Sequence, residues 1–141
     1  MQPDARAVVF DLDDTLYPLR RYRLSGFSVV ASHAHRAYGA DAAETFTFLV
    51  NALDNGLTGH EIDALARGRD WPDDAATALV EAARAHDPVL LLPAAAGAVL
   101  TALRPSWKLG ILTNGPRALP LAAWIAAATT EKPLSRYRRN G

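Results

Sequence analysis

The spacing of apolar positions divides the chain into two kinds of segment. The uninterrupted apolar run at residues 7–10 predicts a strand buried on both faces, which is typical of a parallel sheet. The run at residues 107–112 predicts a second such strand. Between them, over residues 25–92, apolar side chains recur at helical intervals. This middle stretch predicts an insert of about four amphipathic helices.

Turn-forming residues mark the ends of these predicted helices. Gly39 and Gly56 each follow an apolar stripe, where a glycine commonly ends a helix. Thr58 and Glu61 have the spacing of a capping box that opens a helix. Pro93 suits the first turn of a further helix before the second strand. The order is therefore strand, helical insert, helix, strand and helix, which describes a β-α-β crossover with an excursion in its connection.

The predicted fold class is α/β, with parallel strands and an all-helical segment inserted after the first strand. Residues 1–18 and 93–141 are expected to form the core, and residues 19–92 the insert. In open α/β sheets, ligands bind beyond the carboxyl ends of the strands. If the two strands are parallel, the polar residues that follow each of them meet at one edge of the sheet.

Composition narrows the possible functions. The chain has 141 residues, and its 15 Lys and Arg balance its 15 Asp and Glu, so charge gives no argument for nucleic acid or an acidic membrane. The absence of cysteine excludes disulfides, thiolate metal sites and cysteine nucleophiles. The N-terminus lacks the order of a signal peptide, and the longest apolar stretch is short for a membrane span. A cytoplasmic protein without nucleic-acid or membrane partners is expected.

Acidic residues follow the first strand directly, in the segment Asp11-Leu12-Asp13-Asp14-Thr15. Asp11 is placed to attack phosphorus and to bind Mg²⁺, which screens the repulsion between a carboxylate and a phosphate dianion. Asp13 can protonate the leaving oxygen and later deprotonate the hydrolytic water. Its backbone carbonyl could also face the Mg²⁺. Thr15 can hold the loop through hydrogen bonds. The alternative is a solvated acidic turn that only caps a helix.

Polar residues also follow the second strand, as Thr113-Asn114-Gly115. Their hydroxyl, amide and backbone donors lie near a predicted helix N-terminus, which favours phosphate. Taken alone, such a triplet is more often an ordinary turn. Their position after a second strand, in the order expected for a crossover, favours a shared site with the acidic segment.

Three arginines follow the acidic segment, where the chain enters the insert, at Arg20, Arg21 and Arg23. They could meet an anionic substrate at the mouth of the site. The alternative is a run of solvated side chains.

At these motifs the sequence resembles a known family. Residues 8–18, Val-Val-Phe-Asp-Leu-Asp-Asp-Thr-Leu-Tyr-Pro, resemble the first motif of the haloacid-dehalogenase (HAD) superfamily, and residues 109–115 resemble its second. The resemblance implies an incomplete Rossmann-like HAD core of parallel strands, with an all-helical (C1-type) cap inserted after the first strand. The same resemblance implies Mg²⁺ as cofactor, Asp11 as nucleophile and Asp13 as general acid/base. It also implies that Thr113, Asn114 and Gly115 bind the substrate phosphate. Because dehalogenating members lack an acid at the place of Asp13, it implies a phosphatase-type hydrolase of a small phosphorylated metabolite.

The sequence departs from the family pattern on its C-terminal side. Family members also carry a lysine that holds the nucleophile and phosphate, and an acidic pair that completes the magnesium site. Only 27 residues follow Asn114 (141 − 114), and no acidic pair is among them. Lys132, followed by Pro133, resembles the lysine motif. It comes only 19 residues after Thr113 (132 − 113), which is shorter than the usual separation in the family. Lys132 is therefore a candidate phosphate lysine, against the alternative of a solvated tail lysine.

These departures leave two hypotheses. The first is a phosphatase-type hydrolase of the HAD superfamily that is truncated at its C-terminus and impaired by the loss. The second is a catalytically inactive truncated or split remnant that acts, if at all, by binding a partner. Truncation would also expose an apolar edge of the first strand, through which copies of the chain could self-associate.

Overall fold

A computed structural model describes residues 6–88, 92–112 and 135–136. Its fold class is mixed α/β, mostly helical with a parallel sheet. No helix within these ranges is both long and apolar enough to cross a membrane. The elements in chain order are β1 (Ala7–Asp11), α1 (Leu19–Tyr38), α2 (Ala42–Asp54), α3 (Glu61–Ala66), α4 (Ala75–Ala85), α5 (Ala94–Leu103), β2 (Lys108–Leu112) and β3 (Ser135–Arg136).

The chain divides into two compact units. The sheet unit comprises Met1–Arg21 with Val89–Gly141, and the helical unit comprises Tyr22–Pro88. The four helices predicted between the two strands are present as α1 to α4. The assignment of residues 1–18 and 93–141 to a core and of residues 19–92 to a cap stays a prediction.

In the sheet unit, β1 and β2 pair in parallel, with Ala7 opposite Lys108 and Asp11 opposite Leu112. The parallel pairing predicted from the order of elements is therefore confirmed. The short strand β3 pairs in parallel with the other side of β2, so the strand order is β1-β2-β3 and β1 lies at one end of it. Both β1 and β2 end at the same edge of the sheet.

Burial along the strands differs between the two faces of the sheet. Leu109 and Ile111 are 7% and 4% exposed, whereas Val9 is 55% and Leu112 is 36% exposed. Because successive side chains point to opposite faces of a strand, one face is covered and the other is open in the described part of the chain. The prediction that β1 is buried on both faces is wrong. It was inferred from residue type, and valine is equally apolar on a covered or an open face.

The helical unit has an apolar core to which all four of its helices contribute. Leu49 and Leu79 are fully buried there. The two predicted helix-ending glycines have left-handed backbone conformations, with φ of +68° at Gly39 and +85° at Gly56, which glycine adopts without steric cost. The buried members of this core are Phe27, Val30, Ala34, Ala40, Leu49, Leu65 and Leu79.

The start of α3 differs from the capping box predicted at Thr58 and Glu61. Helix α3 begins at Glu61 with His60 in the N-cap position. The carboxylate of Glu61, which is 3% exposed, accepts the N–H of Gly59 at 2.9 Å and a guanidinium N–H of Arg23 at 2.7 Å. The capping box is wrong because α3 begins at Glu61 itself, which leaves Thr58 outside the N-cap position. One oxygen of the Glu61 carboxylate forms a part-buried ion pair with Arg23 on α1, and local spacing does not reveal a partner 38 residues away.

Among the buried side-chain nitrogen and oxygen atoms of the described residues, the hydroxyl oxygen of Thr45 alone has no hydrogen-bond partner. Thr45 is fully buried on the face of α2 that also carries Leu49 and Ala52. We expect Thr45→Val to raise the free energy of unfolding by about 1–2 kcal/mol, because a methyl group of similar size removes the cost of burying an unpaired hydroxyl. Urea denaturation measures the change.

Thr45→Ala is the control for this substitution. It removes the hydroxyl but leaves a void, so it should be less stable than Thr45→Val. A Thr45→Val variant that is less stable than the parent protein would show that the hydroxyl makes a hydrogen bond in solution.

Candidate functional site

The predicted nucleophile lies at the carboxyl end of β1. Asp11 is the last residue of that strand and its side chain is exposed. It pairs with Leu112, the last residue of β2. Because the two strands run in the same direction, the chain leaves both of them at one edge of the sheet. That edge is where an open α/β sheet binds its ligands.

Residues 12–18 form a turn that is closed by its own backbone. The carbonyl oxygen of Leu12 accepts the N–H groups of Leu16 at 2.9 Å and Thr15 at 3.3 Å. The N–H of Asp14 donates to the carbonyl oxygen of Tyr17 at 2.9 Å. Leu12, Leu16 and Tyr17 are at most 3% exposed. The turn is thus fixed by buried side chains, while the acidic side chains beside them keep contact with solvent.

Asp14 joins this turn to the first helix. Its backbone has φ of +57°, a left-handed conformation that aspartate tolerates better than most residues. Its carboxylate accepts the N–H of Leu19, the first residue of α1, at 2.8 Å. No acidic residue lies in the first turn of α1, so Asp14 supplies both an acceptor and a negative charge at that helix N-terminus.

Asp13 is held by a tyrosine that the sequence analysis did not single out. The hydroxyl of Tyr17 donates to Oδ1 of Asp13 at 2.6 Å, and Tyr17 is 2% exposed while Asp13 is half-buried. A phenol donating to a carboxylate makes a short, charge-assisted hydrogen bond. It fixes one carboxyl oxygen and leaves Oδ2 for other contacts. The sequence offered one sign of this contact, the spacing of four residues between Asp13 and Tyr17. That spacing can be interpreted only when the geometry of the turn is known.

The remaining predicted site residues fall into two groups. Thr15 is exposed and contributes its backbone N–H to the turn, so the predicted role of its side chain stays a prediction. Arg23, considered for an anionic substrate, is instead paired with Glu61. The residues predicted to hold phosphate lie outside the described residues, and their roles stay predictions: Thr113, Asn114, Gly115 and Lys132.

The turn after β1 carries oxygen atoms of the kind that Mg²⁺ binds. Within residues 6–88, 92–112 and 135–136, no three or more His, Cys, Asp or Glu side chains are grouped to hold a metal ion. Mg²⁺ in phosphate sites commonly takes one or two carboxylates, the rest of its shell being water and substrate phosphate. Asp11 offers one exposed carboxylate and Asp13 would offer its backbone carbonyl oxygen. The side chain of Asp13, whose Oδ1 accepts the Tyr17 hydroxyl, keeps Oδ2 for proton transfer. These oxygen donors fit Mg²⁺ better than a softer metal that prefers nitrogen or sulfur.

Comparison with known proteins adds no family assignment. The sequence matches no protein-family model, and no curated protein matches it at a significant level. The resemblance to the HAD superfamily therefore rests on the motifs at residues 8–18 and 109–115.

Proposed function

We propose that the chain is a Mg²⁺-dependent phosphatase-type hydrolase of a small phosphorylated metabolite, acting through an aspartyl-phosphate. The proposal rests on the turn at the end of β1, which hydrogen bonds and buried side chains hold in place. This turn keeps Asp11 exposed at the edge of a parallel sheet and holds Asp13 by a hydrogen bond from a buried tyrosine. A merely solvated acidic loop has no need of a buried phenol for one of its carboxylates.

In the proposed reaction, a carboxylate oxygen of Asp11 forms a bond to phosphorus while the ester P–O bond breaks. Asp13 gives its proton to the departing alcohol. A water molecule then attacks the phosphorus of the aspartyl-phosphate, passes a proton to Asp13 and releases inorganic phosphate with Asp11 restored. Each proton taken in one half of the cycle is returned in the other.

Two further parts complete the proposed site. Mg²⁺, held by the carboxylate of Asp11 and the backbone carbonyl of Asp13, would neutralise the negative charge that otherwise repels an attacking carboxylate. Thr113, Asn114 and Gly115, with Lys132 as a candidate, would bind the phosphate. The pairing of Asp11 with Leu112 supports this arrangement, because Thr113 follows Leu112 in the sequence.

The experiment that tests the proposal measures release of p-nitrophenol from p-nitrophenyl phosphate. We expect turnover with Mg²⁺ and loss of turnover when EDTA removes the metal, because two carboxylates and a phosphate dianion repel one another without a cation. An Asp11→Asn preparation made in parallel sets the background from contaminating phosphatases. Turnover that is equal with and without EDTA, or equal in the two preparations, contradicts the proposed function.

A further inference from the structure

One histidine joins the two ends of the helical unit. The unit begins at Tyr22 and ends at Pro88, and His86 follows the last residue of α4 near its C-terminal end. Nε2 of His86 is 2.8 Å from the hydroxyl oxygen of Ser25 on α1, and the ring centroids of His86 and Tyr22 are 5.0 Å apart. Ser25 and His86 are both half-buried. The proposed phosphatase chemistry uses none of these residues.

Each nitrogen of the His86 ring faces an oxygen that can only accept a hydrogen. Nδ1 is bonded to the carbonyl oxygen of Ala83, which has no hydrogen to give. The hydroxyl of Ser25 donates its one hydrogen to the carbonyl oxygen of Tyr22 at 2.8 Å, so its oxygen is left as an acceptor for Nε2. Both ring nitrogens must therefore donate. Histidine carries a hydrogen on both nitrogens only as the imidazolium ion, so this arrangement requires a positively charged ring.

Loss of the charge removes one of these hydrogen bonds. A neutral ring with its hydrogen on Nε2 sets a lone pair of Nδ1 against the carbonyl oxygen of Ala83. With its hydrogen on Nδ1, the ring instead sets the Nε2 lone pair against the Ser25 oxygen, and the serine can turn its hydrogen to Nε2 only by giving up the carbonyl oxygen of Tyr22. Either outcome costs one hydrogen bond of half-buried groups, which is on the order of tenfold in an equilibrium constant.

The charged and titratable groups near the ring come from both helices. His86 is the C-cap residue of α4, and the partial negative charge of a helix C-terminus favours a cation. Asp87, the next residue, is exposed and favours the cation, whereas Arg84 in the last turn of α4 opposes it. On α1, the phenol of Tyr22 faces the ring and stays neutral where histidine titrates. Arg23 beside it is paired with a buried glutamate of α3.

We propose that His86 is a pH-dependent clasp between the two ends of the helical unit. As an imidazolium ion it bonds Ala83 on α4 and Ser25 on α1 at once, and as a neutral ring it loses one of the two bonds. The folded chain then keeps a proton that the unfolded chain gives up near about pH 6.5, so a rise in pH favours unfolding. The stabilisation is present in full below that pH and is lost as the folded His86 gives up its proton.

The first test is NMR spectroscopy of the whole chain labelled with ¹⁵N, which shows the imidazole nitrogens that carry hydrogen at each pH. His35 is the matched control, because it lies in the last turn of α1 and its Nδ1 is 2.8 Å from the carbonyl oxygen of Ala40, a single contact that a neutral ring satisfies. We expect His86 to keep both hydrogens at a pH at which His35 has lost one. Loss of a hydrogen from His86 at the same pH as from His35, or at a lower pH, overturns the proposal.

Two serine variants separate the pair of hydrogen bonds from the helix end. In Ser25→Ala, Nε2 has no acceptor and a neutral ring satisfies Ala83, so His86 should lose its proton over the same pH range as His35. Ser28→Ala removes an exposed hydroxyl that is bonded within the same helix, and it should leave the titration of His86 as in the parent protein. A charge on His86 that persists in Ser25→Ala to the same pH as in the parent protein overturns the proposal.

Urea denaturation measures the clasp itself. Between about pH 5.5 and about pH 8.5, we expect the unfolding equilibrium constant of the parent protein to rise about tenfold more than that of Ser25→Ala. The other histidines are common to both proteins, so their contributions cancel in this comparison. An equal pH dependence in the two proteins overturns the proposal. If Ser25→Ala does not fold, the comparison of His86 with His35 in the parent protein still decides.

Discussion

Replacing Asp11 with asparagine is expected to reduce Mg²⁺-dependent hydrolysis of p-nitrophenyl phosphate to background. The amide has the shape of the carboxylate, but it has no negative charge and does not form an acyl phosphate. Loss of a nucleophile of this kind lowers kcat on the order of 10³- to 10⁶-fold. Asp11 is exposed at the strand end, so the substitution should change the free energy of unfolding by no more than about 0.5 kcal/mol. Steady-state kinetics and urea denaturation measure the two quantities.

Asp14→Asn is the matched control for this variant. Asp14 lies in the same turn and is also exposed, but its carboxylate is bound to the N–H of Leu19. Asparagine tolerates the left-handed backbone at this position and keeps an oxygen acceptor for that N–H. We therefore expect Asp14→Asn to retain turnover. Equal losses in the two variants would show that the turn, not the nucleophile, had been damaged.

The strands and their common edge could be predicted from sequence, because their signal is local. Short apolar runs that end in polar residues need no distant information, and the parallel direction follows from the connection between them. The exposed position of Val9 could not be predicted in the same way. The number of layers covering a sheet depends on what the rest of the chain supplies, and the composition of one strand does not report it.

The start of α1 is a second feature that could not be predicted from the sequence. The apolar stripe predicted helix from Ser25, whereas α1 begins at Leu19. Its first turn contains two arginines and lies before the apolar stripe, and Asp14 in the preceding turn supplies the acceptor for its first N–H. That contact exists because Asp14 adopts a left-handed conformation, which the residue type permits but does not dictate.

In the candidate site, too, the sequence indicated individual residues but not the contacts between them. Asp11 and Asp13 could be selected as candidates because they follow a strand at a spacing that suits one chemistry. Tyr17 was not, because its hydrogen bond to Asp13 depends on a turn in which the backbone of Asp14 also bonds to Tyr17. The ion pair of Arg23 with Glu61 was missed for the reason that its partners are distant in sequence.

The role proposed for Asp13 predicts opposite kinetic patterns for aryl and alkyl phosphates. An alkoxide is a strong base and leaves only if it is protonated, whereas p-nitrophenolate leaves without help. In Asp13→Asn we therefore expect hydrolysis of glycerol phosphate to fall by about 10²- to 10⁴-fold. With p-nitrophenyl phosphate, the aspartyl-phosphate should still form, giving a burst of p-nitrophenol. Slow turnover should follow, because the second half of the reaction lacks its base.

The Asp13→Asn variant should keep its turn, since the amide oxygen can accept the Tyr17 hydroxyl as the carboxylate does. Tyr17→Phe provides the complementary comparison, because it keeps the carboxyl group and removes its hydrogen bond. A hydrogen bond worth about 1.4 kcal/mol corresponds to a tenfold loss, so we expect about that loss with glycerol phosphate and little change in the aryl burst. Asp13→Asn could instead lower the hydrolysis of both substrates equally and show no burst of p-nitrophenol. That result would place the Asp13 side chain in the binding of metal and phosphate, because only proton transfer depends on the basicity of the leaving group.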